Sequence, residues 1–143
     1  MSPASGALLL DTCAVIWLAN GDLPEATVSR IVEAGLKDGI HVSPASAWEV
    51  GMLARPKACL PALAFLPDAK SWFARFMAGP GIKAAPLTAD IAIEASFLPG
   101  EIHGDPGDRL IIATARNMRL PILTRDEKII AYAAAGHVEV IAC

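Results

Sequence analysis

The chain has 143 residues, enough for one domain with a sizeable core, expected to span residues 1–143. With 54% hydrophobic and 19% charged residues it is not a disordered chain, and a net charge of −3 excludes a protein that coats nucleic acid through a general excess of positive charge. No apolar run approaches the roughly 18 residues of a membrane span. Met1 to Gly6 reads as a lead-in rather than a signal peptide, and Cys13, Cys59 and Cys143 match no zinc spacing, so a cytoplasmic protein with reduced thiols is expected.

Ala7 to Leu10 is a compact apolar run ending in Asp11, the pattern of a central strand. Thr12 is expected to N-cap a helix from Cys13 to Ala19 that stops at Asn20-Gly21. Pro24 opens a second helix to about Lys37, and Ile40 to Ser43 is a short strand. Pro44 begins a helix carrying Ser46, Trp48 and Glu49, ended by Arg55-Pro56. Residues 57–67 read as a proline-punctuated loop, and Asp68 caps a helix to about Ala78. Ile82 to Leu87 is extended, and Thr88 caps a helix through Phe97. Gly104 to Gly107 reads as a polar turn before an apolar helix from Asp108 to Met118. Leu120 to Leu123 is a strand, Asp126 to Ala135 a helix, and Val138 to Ile141 a last strand. Strands alternating with helices predict an α/β fold: a central parallel sheet with helices on both faces.

Acidic residues recur where strand-like runs give way to helices: Asp11, Asp105 with Asp108, and Asp126, while Glu49 lies inside a short helix after another such run. Open α/β sheets bind ligands at the carboxyl ends of their strands, so these acids are expected at one mouth. Two like charges about 4 Å apart repel by roughly 4 kcal/mol at an effective dielectric of 20. Such a group needs protons or a cation, and oxygen-only ligands favour Mg²⁺ or Mn²⁺.

Each acid also has a structural reading. Asp11, Asp105, Asp108 and Asp126 can serve as helix caps or complement helix dipoles, and Glu49 can pair with Arg55. The Thr12 hydroxyl can cap and also orient a water. Arg109 is expected to pair with a neighbouring carboxylate, with an RNA phosphate as the alternative; Arg125 is expected to point outward, where it can meet a phosphate. His103 reads as a loop residue, with proton transfer the less favoured role. Cys13, beside Asp11, has no histidine paired with it in sequence and reads as a buried thiol, not a nucleophile.

Taken in order, Leu9-Leu10-Asp11-Thr12, Ser46-Ala47-Trp48-Glu49, the block from His103 through Asp105-Pro106-Gly107-Asp108-Arg109 to Ala115, and Leu123-Thr124-Arg125-Asp126 resemble the PIN-domain family, and within it the VapC toxin ribonucleases. The likeness runs from Leu8 to Ile141. It implies a three-layer α/β/α fold and a metal-dependent endoribonuclease using Mg²⁺ or Mn²⁺. It further implies that Asp11, Glu49, Asp108 and Asp126 act as catalytic metal ligands, with Thr12, Asp105 and Thr124 as auxiliary groups. A VapB-like antitoxin, an RNA substrate and a homodimer are the implied partners, with Trp17 and Trp72 as candidate surface anchors, although core packing is favoured for both. Rival readings are an aspartyl phosphotransfer domain built on Asp11, a non-catalytic PIN module, and a PIN nuclease of DNA or RNA processing.

Overall fold

The computed structural model describes residues 6–56, 62–102 and 104–143. Its strands are β1 (Leu8–Leu10), β2 (Ile40–Val42), β3 (Ile82–Ala84), β4 (Ile122–Thr124) and β5 (Val140–Ala142). They form one sheet in the order β3-β2-β1-β4-β5, with every pairing parallel. The helices are α1 (Thr12–Asn20), α2 (Glu25–Leu36), α3 (Pro44–Leu53), α4 (Ala69–Met77), α5 (Ala89–Ser96), α6 (Pro106–Met118) and α7 (Glu127–Ala134). The expected alternation of strands and helices is therefore present, in the expected parallel sheet.

Strand β1 is central, and Leu8, Leu9 and Leu10 are all fully buried. A strand alternates its side chains between faces, so one tripeptide serves two cores. Leu8 and Leu10 join Ala14, Val15, Ile31, Ala34 and Val42 beneath α1, α2 and α4. Leu9 joins Ile91, Ile111, Ile112, Ile122 and Ile129 beneath α5, α6 and α7. The result is three layers, helix on sheet on helix, with each buried Leu or Ile contributing about 1.5–3 kcal/mol. Trp17 and Trp72 are half-buried and packed against the first of these cores, so neither is a surface anchor. Trp72 meets Phe65 edge-on at 4.9 Å and stacks on Phe76 at 6.0 Å.

Some boundaries differ from the sequence reading for local reasons. The cap of α1 is Asp11, not Thr12, because the Asp11 carboxylate takes the Ala14 N–H. Helix α6 begins at Pro106 rather than Asp108: proline suits a first helical turn, and Asp105 caps it. Strand β3 stops at Ala84; after Ala85 donates to Val42 at 2.8 Å, Pro86 has no N–H to continue the ladder. Gly81, at φ +79°, lies so close to Gly35 of α2 that a Cβ would sit 2.6 Å from the Gly35 backbone. The turn into β3 thus meets α2 backbone to backbone. Of the predicted loop at 57–67, residues 57–61 lie outside the described residues. No helix among the described residues is long and apolar enough to cross a membrane.

Strand order also decides where a ligand would go. After β1 the chain builds outward through β2 and β3, then returns to the other side of β1 with β4 and β5. The two directions part between β1 and β4, and the crevice at the carboxyl ends of such a pair is the favoured binding position of an open α/β sheet. Asp11 follows β1 there, and Asp126 lies two residues beyond β4. Helix α6 feeds β4 from its far end, so its first turn, bearing Asp105 and Asp108, reaches the same edge.

Candidate active site

Asp11 is the most enclosed of the acids, 5% exposed. One carboxylate oxygen accepts from the Ala14 N–H at 2.8 Å, and the other accepts the Thr124 hydroxyl. The Thr124 oxygen in turn accepts the Asp126 N–H at 3.0 Å. A hydroxyl has one proton, so that second bond leaves the Thr124 proton aimed at Asp11. Burial pushes the Asp11 carboxyl from 3.8 up to about 6; the bonds from Thr124 and Ala14 oppose the rise, and the charges of Asp108 and Asp126 add to it. With both oxygens engaged and little exposure, Asp11 is poorly placed to accept a phosphoryl group, which disfavours the phosphotransfer reading.

Glu49 projects from α3 toward α1 and α6. The Thr12 hydroxyl bonds to Glu49 Oε1 and also lies 3.0 Å from the Ser46 hydroxyl. With Glu49 ionised, the Thr12 proton goes to the carboxylate and Ser46 donates to Thr12. Ser46 is fully buried, so its hydroxyl needs such a partner. The other Glu49 oxygen lies against α6, where a Cβ on Gly107 would stand 2.4 Å from Oε2. Burial raises the Glu49 carboxyl above its ordinary value; the Thr12 bond opposes this, and Asp108, Asp105 and Asp11 reinforce it.

Asp105 caps α6 through one oxygen, which accepts from Gly107 at 2.9 Å and Asp108 at 3.3 Å. Carboxylate oxygens of Glu49, Asp105 and Asp108 lie within 4.8 Å of one another, the spacing of ligands around a single ion. Asp126 caps α7, taking the Lys128 and Ile129 N–H groups, and shares with Asp105 and Asp108 an open cleft of about 340 Å³. Cys13 is exposed rather than buried as the sequence suggests; desolvation, then Asp11, Glu49, Asp108 and Asp126, push its thiol up to about 11. At neutral pH that thiol is protonated, which removes it as a nucleophile.

The acids expected at one mouth therefore lie together, but Asp105 is inside the tight trio, whereas Asp11 and Asp126 flank it. Thr12 bonds to Glu49 and Thr124 to Asp11. Arg109 turns away into the fold, donating from Nε to the Ala95 carbonyl at 2.9 Å and from Nη1 to Ile102 at 3.5 Å. Arg125 is exposed, as expected, and lies over the Trp17 ring. His103 lies outside the described residues. Ser46 and Gly107 stand in the motifs of the sequence reading without a role of their own. Ser46 stands three residues before Glu49 on one helical face, and Gly107 is a glycine inside a helix, so each carried a signal.

A family model described as PIN domain matches residues 8–135. No curated protein matches the chain in sequence. Among solved structures, the fold is similar to VapBC2 from Rickettsia felis bound to a DNA fragment from its promoter, with a TM-score of 0.69 and 14% identity over 95% of this chain and 98% of that one. It is similar also to FitAcB from Neisseria gonorrhoeae, with a TM-score of 0.55 and 20% identity over 94% and 96% of the two chains. VapBC-5 from Mycobacterium tuberculosis, a member of a family of toxin–antitoxin systems, gives a TM-score of 0.55 and 19% identity over 96% and 99%.

Proposed function

This chain belongs to the PIN-domain family, and from that premise we propose that it is a metal-dependent endoribonuclease, the toxin of a toxin–antitoxin pair. The observation that carries the proposal is the trio of Glu49, Asp105 and Asp108 oxygens within 4.8 Å of one another, beside a buried Asp11 whose carboxyl is raised to about 6. A donor set made only of carboxylate oxygens at that spacing fits a hard dication such as Mg²⁺ or Mn²⁺.

Asp11, Glu49, Asp108 and Asp126 would hold the ion or ions, with Asp105 as an auxiliary ligand. When bound, such an ion supplies positive charge at the scissile phosphate and lowers the pKa of the water that attacks it. The chain's own groups do the arranging. Thr124 directs its proton at Asp11 and joins Asp11 to the start of α7. Thr12 holds one oxygen of Glu49, which leaves the other facing the first turn of α6. Asp105 fixes that turn through its cap. No side-chain nucleophile is required, in keeping with the raised Cys13 thiol.

A VapB-like antitoxin is the proposed partner, in keeping with the VapBC likeness, and the protein is proposed to act in the cytoplasm. Homodimerisation is proposed too; Ile93 and Phe97, four apart around the end of α5 and 59% and 79% exposed, offer an apolar contact.

The test is cleavage of an end-labelled RNA. Cleavage in Mg²⁺ or Mn²⁺ is expected to yield 5′-phosphate and 3′-hydroxyl ends, to stop in chelator, and to be lost in Asp108→Asn. Undiminished cleavage in chelator, or 2′,3′-cyclic phosphate ends, would overturn the mechanism. Expression is expected to arrest growth unless the antitoxin is supplied.

A further inference from the structure

Arg125 stands between two residues of the acidic centre: Thr124, whose hydroxyl bonds to Asp11, and Asp126. Its guanidinium lies 4.0 Å above the centre of the Trp17 ring, and its Nε donates to the Cys143 carbonyl at 3.2 Å. Trp17 is itself half-buried and packed into the core under α1, so the surface beneath the guanidinium is firm. Arg125 nevertheless remains exposed. Exposed arginines ordinarily sample many rotamers; here the aromatic face and Cys143, through both its carbonyl and its thiol, fix this one, and a guanidinium has five N–H donors, more than those two contacts use. Trp17 is six residues along α1 from Asp11, or about 9 Å at 1.5 Å per residue.

A centre made of carboxylates repels the phosphodiester it is to cleave. The cations nearest it in sequence are Arg109, Arg125 and Lys128, and Arg109 is directed inward to the Ala95 and Ile102 carbonyls. We propose that Arg125, braced on Trp17, is a phosphate-binding subsite for the RNA strand beside the scissile bond. This rests on the ribonuclease reading of the acidic centre. Planar guanidinium donors suit two phosphate oxygens at once, and a braced side chain loses less freedom on binding than a loose one. The subsite reads backbone rather than base, so it contributes affinity and register without sequence preference.

The experiment compares Asp108→Asn with Asp108→Asn/Arg125→Ala, both unable to cleave, binding a fluorescent single-stranded RNA in Mg²⁺ across a salt series. Loss of Arg125 is expected to weaken binding about tenfold, the low end for one charge-assisted hydrogen bond. The slope of log affinity against log salt should fall by about 0.7, the value for one phosphate of a single strand. In the cleaving protein, Arg125→Ala should raise KM with kcat nearly unchanged. Arg125→Lys should recover part of the affinity, since it restores charge but not the planar stack. Trp17→Leu should weaken RNA binding while leaving the salt slope intact. An unchanged salt slope in the Arg125→Ala pair, with wild-type protein cleaving normally, would overturn the subsite alone. So would an Arg125→Ala effect confined to antitoxin binding. Wild-type protein that cleaves no RNA would instead sink the underlying ribonuclease reading.

Discussion

Asp11 concentrates the central conflict of the molecule in one side chain. It is almost wholly buried, bonded twice, and still raised to about 6 because the fold removes water from it and sets Asp108 and Asp126 nearby. A carboxyl whose folded value lies above its ordinary 3.8 binds its proton more tightly in the folded state. Its contribution to stability is therefore fully present below about pH 4 and is lost as the pH rises through about 6. The difference corresponds to about 3 kcal/mol, as an order of magnitude. Glu49 is displaced in the same direction, so the two add. Metal-free protein is accordingly expected to become more resistant to urea as the pH falls from 7 to 5. Asp11→Asn should remove most of that dependence and stabilise the metal-free protein at pH 7, since asparagine caps a helix as well as aspartate does. Denaturation in chelator at several pH values measures this, and a stability flat or rising between pH 5 and 7 would contradict it. Thr124→Val should push the Asp11 carboxyl further up by removing its donor, whereas Thr124→Ser should not.

At the scale of elements, the site depends on how closely α3 approaches the first turn of α6. Glu49 Oε2 occupies the space a Gly107 side chain would fill. Gly107→Ala therefore has opposed effects. Alanine gains up to about 1 kcal/mol over glycine in a helix. The new methyl must displace the Glu49 carboxylate, but this is the end of a flexible side chain and moves at little cost to the fold. Metal-free stability should hold or rise slightly, while Mn²⁺ affinity by calorimetry should fall by about 10–100-fold, as when groups supporting metal ligands are disturbed. Unchanged Mn²⁺ affinity would mean that the Glu49 position does not matter to the ion. This junction also marks how far the sequence could be read. Periodicity and proline placement located the strands and helices, because Leu8 to Leu10 and Ile111 to Ala115 carry their burial in their own composition. The acids, too, were legible: Asp11, Asp105, Asp108 and Asp126 follow a strand or open a helix, and Glu49 lies inside the short helix that follows β2. The partners of Thr12 were not. Thr12 and Asp11 are both good caps, and what separates them is the contact of Thr12 with Ser46 and Glu49, more than thirty residues away, which only the packing of α1 on α3 creates. Asp105 stands among the auxiliary groups through the resemblance alone; its nearness to Glu49 depends on where α6 lands.

The whole molecule is a device for forcing together charges that the open chain keeps apart. Asp11 closes β1, Glu49 rides on α3, Asp105 and Asp108 open α6, and Asp126 caps α7. Folding assembles all of them at one edge of the sheet, in a protein that already bears a net charge of −3. The repulsion is a cost of the folded state alone, so an ion that relieves it binds the folded state and not the unfolded one. By mass action such an ion stabilises the fold by about 2.7 kcal/mol at 100 times its Kd. The Tm is therefore expected to climb with Mn²⁺ concentration and to keep climbing logarithmically past saturation. An equal ionic strength of NaCl should give a much smaller rise, because screening acts weakly on a partly buried group. Asp108→Asn should abolish the Mn²⁺-dependent rise, since it removes a ligand. If Asp108→Asn kept the full Mn²⁺ response, the ion would be binding elsewhere. If NaCl reproduced it, the acids would be merely screened, and convergence at the sheet edge would be no evidence of a metal centre.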